Sequence, residues 1–113
     1  MGTRVTGIGG VFFKAEDPDH LREWYRKHLG IQGDRTGRTV WAIFPKTTKY
    51  FKNSRADFML NYRVENLDRL LEALSREGVE IDPQREDSEN GRFAWISDPE
   101  GNRIELWEPP PKP

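Results

Sequence analysis

Phe58-Met59-Leu60-Asn61-Tyr62-Arg63-Val64-Glu65-Asn66-Leu67-Asp68-Arg69-Leu70-Leu71-Glu72-Ala73-Leu74-Ser75-Arg76-Glu77-Gly78-Val79-Glu80-Ile81 changes its apolar period partway along. Up to Val64 the alternation has a period of two, as in a strand with one face buried. From Asn66 it becomes helical, because Leu67, Leu70, Leu71 and Leu74 fall at i, i+3, i+4 and i+7. Asn66 is a suitable cap for the free N–H groups of the first turn. Gly78 stops the helix, and Val79 and Ile81 lead out of it.

The same pattern occurs about fifty residues upstream. Gly10 to Ala15 reads as a strand, Asp17 as a cap and Pro18 as a first helical residue whose missing N–H costs nothing. Leu21, Trp24, Tyr25 and Leu29 share one helical face, Gly30 ends the helix and Ile31 follows. Asp17 to Asn66 is 49 positions and Gly30 to Gly78 is 48, so a β-α unit is duplicated. Each unit has room for further strands. Thr39 to Phe44 is expected in the first, and Arg92 to Ser97 and Arg103 to Trp107 in the second. Asp98-Pro99-Glu100-Gly101-Asn102 joins the last pair as a turn.

At 113 residues the chain is expected to be one domain. Module one covers about 5–51, module two about 56–108, and 109–113 is expected to be an extended, disordered tail. With Lys plus Arg at 18 and Asp plus Glu at 19, no basic excess supplies the footprint of a nucleic-acid partner. No apolar run approaches a membrane span and no secretory leader is visible, so a cytoplasmic protein without a membrane partner is expected. The absence of Cys excludes disulfides, thiolate metal sites and a Cys nucleophile. Pro45 to Arg55 is a basic, aperiodic loop with two aromatics, and Glu86 to Gly91 an acidic loop of opposite sign that could meet it. A loop of the first kind is either functional or floppy.

Asp98-Pro99-Glu100-Gly101-Asn102-Arg103-Ile104-Glu105-Leu106-Trp107-Glu108-Pro109 resembles the terminal turn and strand of the vicinal oxygen chelate superfamily. That superfamily contains glyoxalases, extradiol dioxygenases and bleomycin-resistance proteins. Phe12 to Ile31 resembles its first module and Val64 to Ile81 the start of its second. The resemblance implies an α+β fold of two βαβββ modules forming a curved mixed sheet around a cleft, usually as a homodimer. It also implies a divalent ion held by His and Glu side chains on the strands, acting as a Lewis acid. The two His positions, seven residues before each helix cap, fall on Gly10 and Met59; a further one lies near Trp41; the final Glu is Glu105. Glycine and a thioether cannot replace two imidazoles. No metal site and no cofactor are therefore expected, and His20 and His28 lie on the first helix.

Alternation sorts the strand residues into two faces. If Gly10, Met59 and Glu105 mark the cleft, so do Phe12 and Lys14, Asn61 and Arg63, Phe93 and Trp95, and Arg103 and Trp107. Trp41 is expected with them. Val11, Phe13, Ala15, Leu60, Tyr62, Val64, Ala94, Ile96, Ile104 and Leu106 go to the helix-packed side. Aromatics with a few placed polar groups suit a small-molecule pocket. The residues and the resemblance together leave three functional classes. One is a metal-independent protein resembling the bleomycin-resistance branch, which binds an aromatic or amphipathic small molecule in the cleft between modules or protomers. Another is a glyoxalase- or dioxygenase-like lyase or oxygenase, with an unusual metal site or Glu105 as base; catalysis would then rest on Glu105 alone. The third is an interaction module whose aromatic face is a dimer seam, with the cleft filled by side chains. Whether the chain is an enzyme is left open at this point.

Overall fold

The architecture, taken from a computed structural model, is described for residues 4–29, 40–52 and 54–111. In chain order it comprises β1 (Gly7–Ala15), α1 (Pro18–Leu29), β2 (Val40–Pro45), β3 (Phe58–Arg63), α2 (Leu67–Arg76), β4 (Glu80–Ser88), β5 (Gly91–Ser97) and β6 (Arg103–Glu108). The expected helix stop at Gly30, the exit at Ile31, the strand start at Thr39 and the last two tail residues lie outside the described residues.

The strands form one six-stranded mixed sheet in the order β2-β1-β3-β6-β5-β4. β1 runs parallel to β2 and β3 parallel to β6, while β1–β3, β5–β6 and β4–β5 are antiparallel. The α+β class and the open curved sheet are thus as the sequence implied. The second unit is β3-α2-β4-β5-β6, a βαβββ pattern. The first shows β1-α1-β2 among the described residues.

Local chemistry explains the element ends. Asn66 Oδ1 accepts from Arg69 N at 3.0 Å at the start of α2, and Asp17 Oδ1 accepts from His20 N at 3.1 Å at the start of α1. The Glu108 carboxylate, arriving from β6, accepts from Leu67 N at 2.8 Å and gives α2 a second cap. In the turn before β6, the Asp98 carboxylate accepts from Glu100 N, Asn102 N and Asn102 Nδ2, all at 2.9 Å. Gly101 takes a φ of +83° there, a conformation that disfavours a β-carbon.

The two faces of the sheet carry separate cores. Val64, Leu67, Leu70, Ala94 and Leu106 form the buried cluster beneath α2, with Tyr62, Leu71, Leu74, Ile96 and Ile104 against it. Phe12, Phe51, Met59 and Trp95 form another on the concave face. α1 is held more loosely: none of its residues is buried, and Trp24 and Leu29 are 45% and 58% exposed. It touches the sheet through Tyr25, whose ring meets Phe13 and Trp41 edge to face.

Trp41 is corrected by these contacts. It packs on Phe13 and Tyr25, on the convex helix side rather than in the cleft. The register places Trp41 opposite Val11, and puts Ala42 and Phe44 beside the cleft residues Phe12 and Lys14. One residue of register exchanges the two faces of a strand. The charged stretch Glu86 to Ser88, expected in a loop, is instead the end of the edge strand β4.

Depth in these cores sets the cost of truncation. Leu67→Ala, at a fully buried position, should lose ~2–5 kcal/mol in denaturant unfolding. Leu29→Ala, at an exposed one, should stay within ~0.5 kcal/mol of the parent.

Candidate active site on the concave face

Glu105 lies in the middle of β6 and is 1% exposed, although it carries a carboxyl group. Burying such a group is costly unless its lone pairs are satisfied. Three separate segments supply donors. Asn61 Nδ2 on β3 donates to Oε2 at 2.6 Å, and Trp95 Nε1 on β5 donates to Oε1 at 3.1 Å. The Tyr50 hydroxyl, from the loop after β2, donates to the same Oε1. The strand register makes the first two inevitable, because Glu105 sits opposite Asn61 on one side and Trp95 on the other.

Burial is the main influence on this carboxyl and holds it above the usual carboxylate range. The bonds from Tyr50, Asn61 and Trp95 and the charge of Arg103 act the other way. Burial, reinforced by Glu105, also raises the Tyr50 phenol well above its ordinary value, so Tyr50 remains a donor. Asn61 Oδ1 is buried and has no hydrogen-bond partner among the described residues. It lies against Gly9, where a β-carbon would fall 2.2 Å from it. The β1–β3 register shifts between Ile8 and Gly10 at this point, so the glycine-rich entry to β1 allows the close approach.

The loop between β2 and β3 covers the site. Tyr50 stacks on Phe44, with centroids 5.4 Å apart and rings 4° from parallel, and meets Trp95 edge-on at 6.1 Å. Phe51 is fully buried below the Lys14 ammonium, which lies 5.1 Å from the ring centroid. Lys52, at φ 47°, occupies the left-handed region that non-glycine residues seldom adopt.

Arg103 anchors this loop. It donates from Nε to the Tyr50 carbonyl at 3.0 Å and from Nη1 to Asp82 Oδ2 at 2.7 Å, while its guanidinium lies 5.0 Å from the Trp95 ring centroid. Asp82 also takes Lys52 Nζ at 2.9 Å. The Gln84 N–H, Lys52 and Arg103 hold its carboxyl far below the usual range. The ion-pair partner of Arg103 is thus Asp82 on β4, which also meets the basic loop through Lys52, while Lys46 of that loop faces Glu16.

Of the expected cleft residues, Phe12, Met59, Asn61, Trp95, Arg103 and Glu105 converge in the buried cluster. Phe93 packs against it and stacks on Trp107 with centroids 6.2 Å apart. Lys14 reaches the cluster over Phe51. Arg63 and Trp107 lie toward the entry of β1, beside Gly7 and Gly9. The sequence reading missed Tyr50 and Asp82. A tyrosine in a basic loop and an aspartate in a charged strand carry no periodic signal; only the length of the loop marked the region.

A cavity of about 460 Å³ opens beside the cluster. Phe51, Lys52 and Ser54 of the loop, Asp82 and Pro83 of β4, and Arg103 are among the residues lining it. Among the described residues no group of three or more His, Asp or Glu side chains could hold an ion. The positions at which the resemblance implies metal ligands present Gly10, Met59 and a Glu105 already enclosed by three donors. This donor set does not fit a divalent ion.

Residues 58–106 match the family model for the Glyoxalase/Bleomycin resistance protein/Dioxygenase superfamily. The fold is similar to the crystal structure of methylmalonyl-CoA epimerase from Mycobacterium tuberculosis, at 24% identity and a TM-score of 0.72, covering 98% of this chain and 93% of that one. It is also similar to Streptomyces coelicolor methylmalonyl-CoA epimerase in complex with 2-nitronate-propionyl-CoA (16% identity, TM-score 0.69, 95% and 99% covered). It is similar as well to the crystal structure of NAD-dependent benzaldehyde dehydrogenase from Legionella pneumophila, at 14% identity and a TM-score of 0.63, with 89% and 98% covered. No curated protein matches the sequence. At these identities the structures establish the fold alone, and a fold by itself does not fix chemistry.

The elevated proton affinity of Glu105 has a measurable sign. The folded state holds this proton more tightly than the unfolded chain does. The stability it contributes is therefore complete below the ordinary value of 4.5 and is lost as pH rises through the higher folded value. Glu105→Gln removes that dependence and can offer its amide to the unpartnered Asn61 Oδ1 once the Asn61 amide turns. In urea unfolding the variant should gain on the parent as pH rises from about 4 to about 8. A constant offset would mean that the carboxyl titrates normally.

Proposed function

Starting from a chain with the fold of the glyoxalase/bleomycin-resistance/dioxygenase superfamily, whose second half matches the family model, we propose a metal-independent small-molecule-binding protein. It would resemble the bleomycin-resistance branch in using the concave face without an ion, and would take an aromatic or amphipathic ligand there. The observation that supports this reading most is the surrounding of Glu105. The carboxylate is bound by uncharged donors from Tyr50, Asn61 and Trp95 inside an aromatic chamber, with open volume at its rim. Apolar walls with a few oriented polar groups are what a small-molecule site requires. Phe12, Lys14, Met59, Asn61, Arg63, Phe93, Trp95, Arg103, Glu105 and Trp107 are its proposed ligand-binding residues.

In this reading the protein works in the cytoplasm as a homodimer. Trp24 and Phe58, 45% and 48% exposed, are apolar side chains that a second protomer would cover. Among the described residues no helix is long and apolar enough to cross a membrane. One observation favours a second reading, a lyase- or epimerase-like enzyme. A buried carboxyl with raised proton affinity is suited to moving a proton at carbon, and Glu105 would be its base.

Thermal-shift titration of chelator-stripped protein separates these possibilities. Ni(II), Mn(II), Co(II), Fe(II) and Zn(II), added singly, should leave the Tm unchanged, whereas a member of an aromatic-anion panel should raise it. A native-state ligand at a hundred times its Kd adds ~2.7 kcal/mol, a shift of several degrees in a domain of this size. A saturable rise with one ion that disappears in Glu105→Gln would overturn the metal-independent reading and place a metal ion at Glu105.

A further inference from the structure

We infer that Tyr50 is a built-in occupant of the ligand site, and that the ligand it stands in for is a phenol carrying an anionic group. The inference builds on the ligand-binding reading and names the class of ligand. Tyr50 arrives from a loop, not from the sheet, yet its ring fills the aromatic slot of the concave face. One ring face lies parallel to Phe44, Trp95 meets it edge-on, and Phe12 approaches at 6.4 Å. Its hydroxyl donates to Glu105 Oε1, and its main-chain carbonyl accepts from Arg103 Nε at 3.0 Å. A slot of this kind reads a flat ring, a hydroxyl donor at one end and an acceptor at the other.

The loop is seated by the fully buried Phe51, and on either side of that residue its attachments are exchangeable. Lys52 reaches Asp82 while 44% exposed, so that ion pair is weakly held in solvent. Lys52 itself sits at φ 47°, a backbone conformation that opening of the loop would relieve. Movement of Lys49 and Tyr50 about a seated Phe51 would uncover Glu105 and free Arg103 Nε, while Arg103 Nη1 keeps Asp82. Phe51, Lys52 and Arg103 also line the 460 Å³ cavity next to the loop. A molecule with the tyrosine side chain and a carboxylate two carbons from the ring reproduces both contacts. Its hydroxyl replaces that of Tyr50 and its carboxylate replaces the Tyr50 carbonyl on Arg103.

Desaminotyrosine has this structure, and hydrocinnamate is the same molecule without the hydroxyl. Isothermal titration of both into the parent, Tyr50→Phe and Tyr50→Ala tests the inference. Desaminotyrosine should bind Tyr50→Ala most tightly, Tyr50→Phe less and the parent least, because the occupant's own binding is a tax on the ligand's affinity. In Tyr50→Ala it should exceed hydrocinnamate by ~10-fold or more, since the deoxy ligand leaves Glu105 short of a donor. The Trp95 indole N–H signal should shift on binding, which places the ligand at Glu105, and its position in the free variants reports that the site is folded. Equal affinity across the three proteins, no binding to any of them, or no preference for the hydroxyl would overturn the inference. If, in addition, the parent binds another aromatic anion with a shift of the same indole signal, the broader ligand-binding reading survives while this ligand class falls.

Discussion

Much of the concave face depends on keeping one carboxyl group satisfied away from water. Glu105 is almost completely buried in the middle of the sheet, where an unpaired carboxyl would be expensive. It is bonded by Asn61 from β3, Trp95 from β5 and Tyr50 from the loop. Each bond joins a different segment to β6, so the group ties together the centre of the sheet and the covering that lies over it. Arg103, two residues away on the same face, extends the arrangement outward to the Tyr50 carbonyl and Asp82. Losing any of these donors would leave the buried carboxyl short of a partner, although Asn61 Oδ1 itself stays unpaired among the described residues.

The rest of the fold leaves that face free to be polar. The apolar core beneath α2 buries Leu67, Leu70, Val64 and Leu106 on the opposite side, where it supplies cohesion without the cleft. α1 contributes less, with its apolar residues half in solvent. The sheet edge at β4 is mostly charged, which disfavours pairing with another chain. Pro83 is accommodated by the irregularity in the β4–β5 register between Ile81 and Arg85.

Charge is distributed with a similar division. Arg85 and Arg92 meet Asp68 at the surface, where solvent screening makes such pairs worth little. The Arg103–Asp82 pair, whose side chains are 8% and 14% exposed, is the one positioned to hold structure. It joins β6 to β4 around the end of β5 and, through Lys52, to the loop. The site's positive groups are thus already engaged by an aspartate, a carbonyl and an aromatic ring, and a ligand would have to exchange with them.

Read as a string, the residues determine the repeated β-α pattern, the caps at Asp17 and Asn66, the Asp98 turn and the sorting of β1, β3, β5 and β6 into two faces. Those features are local, since a period of two or of 3.6 residues and a capping side chain are decided within a few positions. Trp41 went to the other face because nothing within its own short segment sets the register against β1. β4 was unreadable because an edge strand buries almost nothing, so its charges leave no alternation. Tyr50 and Asp82 became part of the site only through tertiary structure. Their partners lie 55 and 21 residues away, and a hydrogen bond to a buried carboxyl exists only once the sheet has brought that carboxyl beneath the loop.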